Sequence, residues 1–362
     1  MNEKTFLPIK GIDYVECYVG NAAQSAYFYR MALGFTPTAS AGLETGLRDR
    51  ASICVEQGNM RVVLTTALTS ESPVAEYVKR HGDGVKDIAF SVDNASVAFH
   101  AAIRHGAQAV MEPTVLEDST GTLTKATIAT FGDTVHSFIQ RNDYKGVFLP
   151  HYRAITPLAP PLSPGLATLD HFAISVEPGT LDHWFDFYHH AFSFEHLHQE
   201  YIETAYSAMN SRAFQDRSTC VKFTMMEPAL GKRPSQIEEF LTFNQGPGVQ
   251  HLGLLTNDII HAVRTLQLSG IDFMRTPATY YDALSHRVSG IREDITTLRE
   301  LNILVDRDEW GYLLQIFAKP LHNRPTCFIE LIQRHEARSF GSGNIKALFE
   351  AVEREQALRG NL

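Results

Sequence analysis

The feature that most restricts this chain is an internal repeat. Gly11-Ile12-Asp13-Tyr14-Val15-Glu16 reads as a strand, followed by an aromatic-rich helix ending at Gly34-Phe35. Leu169-Asp170-His171-Phe172-Ala173 and the helix-like run Trp184 to Phe192 answer it. Asp83-Gly84-Val85-Lys86-Asp87-Ile88-Ala89-Phe90 matches Pro247-Gly248-Val249-Gln250-His251-Leu252-Gly253-Leu254. Each of those is followed by a helix and a glycine, Val97 to Gly106 and Ile260 to Gly270. Ser137-Phe138-Ile139-Gln140-Arg141 matches Glu330-Leu331-Ile332-Gln333-Arg334. Repeating strand-helix-strand units each bury one sheet face under helices. The expected fold is therefore α+β, with strands curling into an open barrel in each half. The halves should join at 151–165, where Pro157, Pro160, Pro161 and Pro164 exclude a helix or a central strand. That gives domains 1–150 and 166–362.

The repeat also says where chemistry can sit. Cys327 to Arg334 reads as a buried strand that is apolar around Glu330. A lone buried carboxylate is costly unless its charge is compensated, and a metal ion would compensate it. His171 and His251 occupy strand positions in two other repeat units, 80 and 79 residues from their successors in the set. At the matching positions the first half carries Tyr14, Asp87 and Ser137. Only the second half has two histidines and a carboxylate, a set suited to non-haem Fe(II) with open coordination positions. Zinc is the rival metal, although the HExxH signature is absent. His189 and His190 read as solvated helix residues, and His196 and His198 as loop or strand-edge residues. Near the end, Ile345, Leu348, Phe349 and Val352 share one face of a helix over 343–353. Phe340-Gly341-Ser342-Gly343 is a hinge from which that helix can close as a lid.

Composition narrows the class. A net charge of −9 argues against a nucleic-acid binder. No run of 18 apolar residues predicts a membrane span, and Met1-Asn2-Glu3-Lys4-Thr5 lacks a leader pattern. Cys17, Cys54, Cys220 and Cys327 lack metal-site spacing and read as free thiols of a reducing, cytoplasmic compartment.

Gly248-Val249-Gln250-His251, Phe328 to Arg334, Ser235 to Leu241, Leu314-Gln315-Ile316-Phe317 and the ending Arg359-Gly360-Asn361-Leu362 resemble the 4-hydroxyphenylpyruvate dioxygenase family, which includes the sister enzyme 4-hydroxymandelate synthase. The resemblance covers nearly the whole chain. It implies two vicinal oxygen chelate domains of βαβββ modules, metal-free in the first half and catalytic in the second. It implies Fe(II) on His171, His251 and Glu330, with 4-hydroxyphenylpyruvate and O2 as substrates. It places Ser211, Gln236, Gln250 and Gln315 as polar cavity residues, and Phe317 and Phe340 as aromatic walls. Members of the family are commonly dimers or tetramers, so the resemblance is compatible with a homo-oligomer, while the sequence itself carries no specific interface signal.

Three positions depart from the dioxygenase pattern. Lys222-Phe223-Thr224-Met225-Met226-Glu227-Pro228 has Thr224 for Pro and Met226 for Asn, and Gly343-Asn344-Ile345 has Ile345 for Phe. All three resemble the synthase, as does Ala208-Met209-Asn210-Ser211. Met226 offers only a weak acceptor where Asn would offer a donor and an acceptor, and Ile345 cannot stack on a ring. On this basis the expected product is 4-hydroxymandelate, an intermediate suited to antibiotic biosynthesis. The alternative is homogentisate, in tyrosine catabolism. A non-catalytic aromatic-binding protein of the same fold is a third reading.

Overall fold

The computed structural model describes residues 9–141, 143–282 and 284–361. Met1–Thr5, read above for a leader, and Leu362 lie outside the described residues. The first half contains β1 (Ile9–Tyr18), β2 (Thr36–Ala41), β3 (Arg50–Gln57), β4 (Met60–Ala67), β5 (Gly84–Val92), β6 (Ala109–Asp118), β7 (Gly121–Ala129), β8 (Val135–Gln140) and the short β9 (Arg153–Ala154). The second contains β10 (Leu166–Ser175), β11 (Glu195–Glu203), β12 (Ala208–Gln215), β13 (Lys222–Ala229), β14 (Gly248–Thr256), β15 (Leu304–Arg307), β16 (Tyr312–Phe317) and β17 (Phe328–His335).

The sheets run β6-β7-β8-β5-β1-β4-β3-β2-β9 and β11-β12-β13-β10-β14-β17-β16-β15. Each half is thus two βαβββ modules laid back to back. Within a module the first strand pairs parallel with the last, as β1 with β4 and β14 with β17. The modules meet through one antiparallel pair, β1 with β5 and β10 with β14. Each module's helix follows its first strand: Ala22–Leu33, Ala95–Arg104, Leu181–Phe192 and Ile259–Leu268. Asn21, Asn94 and Asp258 cap three of them by accepting backbone N–H groups of the first turn. The α+β, two-half expectation holds.

Burial follows position in the sheet. In β17 every residue from Phe328 to Gln333 is buried, because the sheet is covered on both faces. Polar β11 lies at the sheet edge and is mostly exposed, with His196 and His198 on it. The halves share a core in which His136 of β8 meets Tyr188, Phe192 and Phe223 of the second half. Among the described residues, no helix is long and apolar enough to cross a membrane.

Two boundaries differ from the sequence reading. Arg153 and Ala154 pair with β2, so the first sheet reaches into the Pro-rich join. The last helix spans Ser342–Leu358, one turn longer than its apolar pattern. Arg354, Glu355, Gln356 and Ala357 are strong helix formers, with no breaker before Gly360.

Candidate metal centre

The register of the central strands builds the site. His171 on β10 lies opposite Gly253 on β14, and Gly253 lies beside Glu330 on β17. His251 is two residues before Gly253 and so projects from the same face. Gly253 is the gap that admits the His171 ring. A Cβ there would stand 2.3 Å from His171 Cε1 and 2.4 Å from Nδ1.

Two β-bulges orient the histidines. Of the three slips in the pairing of β10 with β14, one falls at Asp170 and one at Gln250. A bulged residue breaks the alternation of faces, so its side chain can lie beside its neighbour's. His171 Nδ1 donates to Asp170 Oδ1 at 2.9 Å, and His251 Nδ1 donates to Gln250 Oε1 at 3.3 Å. Both tautomers are thereby set, and both Nε2 atoms face Glu330. They lie 3.1 and 3.2 Å from Glu330 Oε2. Gln315 Nε2 donates to Glu330 Oε1 at 2.9 Å.

The donor atoms of His171, His251 and Glu330 lie within 4.8 Å of one another, and all three side chains are buried. Burial would raise the Glu330 carboxyl, but His171 and His251 outweigh it and bring it down to about 2. Burial would lower His171, but Glu330 and Asp170 outweigh it and carry it up to about 9. Burial dominates at His251 and pushes it down. Beside the Glu330 carboxylate the His171 ring thus favours its protonated form. Two oriented imidazoles and one carboxylate fit a divalent transition metal, which would take that proton's place.

Phe340 sets its ring edge-on to His171 at 4.8 Å, and Phe317 lies 6.0 Å from the His251 ring. Gln250 Nε2 reaches Gln236 Oε1 at 3.5 Å. Ser211 pairs with Met226 across β12 and β13. Met226 and Ile345 share one apolar cluster with Ala173, Ile237 and Phe349. Thr224, two residues before Met226, is buried, and its hydroxyl has no hydrogen-bond partner among the described residues. The C-terminal helix closes over this space. Phe349 is fully buried, the Asn344 carboxamide lies 2.7 Å from Gln315 Oε1, and Arg359 Nε donates to Glu239 at 3.0 Å.

The first half is a twin in which other side chains stand at the three positions. The strand registers place Tyr14, Asp87 and Ser137 where His171, His251 and Glu330 stand. There Ala89 lies opposite Tyr14 in the position of Gly253. Tyr14 donates to Asp87 at 3.2 Å, and Lys125 Nζ lies 2.7 Å from Tyr14 Oη and 3.6 Å from Asp87. The lysine supplies a built-in cation.

Gly253, Asp170 and Asn344 were not singled out by the sequence. Asp170 carried a signal, since it directly precedes a ligand candidate and is matched by Asp13 before Tyr14.

Fold and site together define a two-half vicinal oxygen chelate protein with a buried His-His-Glu group in its second half. Comparison with known proteins agrees. Residues 5–150 match the family described as hydroxyphenylpyruvate dioxygenase, HPPD, N-terminal. Residues 168–316 match the glyoxalase/bleomycin resistance protein/dioxygenase superfamily. The chain is 43% identical to 4-hydroxyphenylpyruvate dioxygenase of Aspergillus fumigatus, covering 98% of this chain and 94% of that one. The same enzyme of Dictyostelium discoideum is 41% identical, over 98% of this chain and 100% of that one. A mutant of 4-hydroxymandelate synthase from Streptomyces coelicolor superposes with a TM-score of 0.88 at 40% identity, covering 97% of this chain and 100% of that one. The chain belongs to the 4-hydroxyphenylpyruvate dioxygenase family.

Proposed function

We propose that this protein is an Fe(II)-dependent oxygenase that takes 4-hydroxyphenylpyruvate and O2, releases CO2 and hydroxylates the remaining aromatic acid. The observation that carries this reading is the buried His171, His251 and Glu330 group, with both imidazoles aimed by bulged neighbours beneath a closed helix. Bound there, Fe(II) would supply a Lewis acid for the 2-oxo acid and a centre for activating O2. The chain's own residues do the rest. His171, His251 and Glu330 would hold the ion. Gln315 fixes the free oxygen of Glu330. Phe317, Phe340 and the C-terminal helix exclude water. Ser211, Gln236 and Gln250 offer polar partners to the substrate, and the unpaired Thr224 hydroxyl is a further one. Met226 and Ile345 bound the space left for the ring.

Homogentisate is the first reading of the product. Its support is the set of relatives matched over nearly their whole length and named as the dioxygenase. 4-Hydroxymandelate is the second reading, favoured by one observation. Met226 and Ile345, two of the three departures from the dioxygenase pattern, meet in one cluster, so a thioether and an aliphatic side chain stand where that pattern has an amide and an aromatic ring. A displacement of about 1 Å at the reacting atom is worth on the order of a hundredfold in rate, enough to choose between ring and benzylic carbon. The test is the product of aerobic turnover with Fe(II) and ascorbate. The two acids have equal mass, so chromatographic retention against both standards decides. Formation of neither, with no O2 uptake, would refute the oxygenase reading itself.

A further inference from the structure

Asp170 does more than hold His171. It lies in a chain of contacts that runs from the metal group to the root of the lid. Arg334 grips the Asp170 carboxylate with two prongs, Nε to Oδ2 and Nη2 to Oδ1, each at 2.8 Å. The same guanidinium donates from Nη1 to the Ser339 carbonyl at 2.6 Å. Its plane lies 5.3 Å from the Phe340 ring centre. Phe340 in turn stands edge-on to His171. The next residue, Gly341, is the N-cap of the C-terminal helix and takes a φ of 72°, a conformation that favours glycine. One side chain therefore touches both the support of a metal ligand and the segment that starts the lid.

The first half carries the same device without the His-His-Glu group. Arg141 donates to Asp13 from Nε at 2.9 Å and from Nη2 at 2.6 Å. It also donates to the Phe148 carbonyl, and its guanidinium lies 5.7 Å from the Phe148 ring. Phe148 stands edge-on to Tyr14 at 5.3 Å, as Phe340 stands to His171 at 4.8 Å. Asp13 and Asp170 are both bulged residues in equivalent strands. The clamp is thus a property of the repeat, tying the end of the second module's last strand to the first module's first strand in each half. In the second half alone its carboxylate also holds a histidine of the metal group.

We propose that Arg334 is a positioning residue for the metal centre: through Asp170 it fixes the His171 ring, and through Ser339 and Phe340 it ties that orientation to the closed lid. This rests on the metal reading given above. An arginine suits the task because its rigid fork meets both carboxylate oxygens while a third nitrogen stays free for the carbonyl. Lysine at this place keeps the charge and loses the fork.

The repeat supplies its own control, because R141K breaks the matching clamp in the half without ligands. The readout is Co(II) binding to the metal-free full-length protein, followed by its visible absorption, with lid closure followed by limited proteolysis across 336–341. R334K is expected to weaken Co(II) binding by 10–100-fold, the usual range for partners of ligating histidines, and to speed cleavage. D170N is expected to weaken Co(II) binding similarly. R141K is expected to bind Co(II) within about twofold of the parent, whatever it does to thermal stability. Parent-like Co(II) affinity in R334K or in D170N would overturn the proposal. So would an equal loss in R141K, which marks a general structural role. If the parent protein itself binds no Co(II), the metal reading fails and the proposal falls with it.

Discussion

Replacing Gly253 with alanine tests the geometry of the site with one methyl group. The new Cβ would lie 2.3 Å from His171 Cε1, where ordinary contact begins at 3.4 Å. The imidazole must therefore retreat by about 1 Å or the strands must part. Gly253 lacks the positive φ found at other glycines, so the backbone itself accepts alanine. Ala89 occupies the equivalent place opposite Tyr14, so the fold tolerates the residue where no ligand is required. Overpacking should cost about 1–3 kcal/mol of stability, which leaves the protein folded. The displaced ring loses its aim at Glu330. Metal affinity should fall by on the order of 10–100-fold and turnover by at least about a hundredfold. Co(II) titration, near-ultraviolet circular dichroism and thermal unfolding separate these effects. A folded G253A protein that binds Co(II) with parent affinity would falsify the placement of His171.

Other perturbations have defined outcomes. Glu330→Gln removes the only carboxylate of the metal group, and equilibrium dialysis against Fe(II) or Co(II) should find binding lost; retained tight binding would remove Glu330 from the ligand set. Phe349→Ala empties a fully buried position on the lid and should weaken its docking by about 3–5 kcal/mol, seen as faster proteolysis near residues 336–341. An unchanged cleavage rate would mean that the helix is held elsewhere. Burial lowers His136 to about 3, from an ordinary value near 6.5, against the opposing effect of its bond to Ile88. The folded protein therefore refuses a proton that the unfolded chain accepts. The stability from this group is fully present above pH 6.5 and is lost as pH falls toward 3, at up to about 1.4 kcal/mol per pH unit. Denaturant unfolding of metal-free protein should show this slope reduced in H136Q, and identical slopes would exclude His136 as its source.

The buried His-His-Glu group was legible because it rests on strand periodicity. His171, His251 and Glu330 occupy equivalent repeat positions, and a face-to-face alternation survives in sequence as a pattern of apolar neighbours. The lid helix was legible for the same reason, through Ile345, Leu348, Phe349 and Val352. What escaped depends on register. A bulge at Asp170 or Gln250 adds one residue without disturbing the apolar run around it, so nothing local reveals that the side chain turns back to its neighbour. The role of Gly253 exists only once β10 and β17 flank it. The Arg334–Asp170 clamp joins residues from opposite ends of the second half. Arg153 and Ala154 show the converse limit, since two residues pairing with a sheet edge leave too short a pattern to read.

The most direct test of the account is reconstitution of metal-free protein with Fe(II), followed by simultaneous O2 and CO2 measurement on 4-hydroxyphenylpyruvate. The account predicts activity that saturates at one Fe(II) per chain, with one O2 consumed and one CO2 released per substrate. Turnover without added metal, saturation at two ions per chain, or O2 uptake without CO2 release would contradict a single iron centre in the second half.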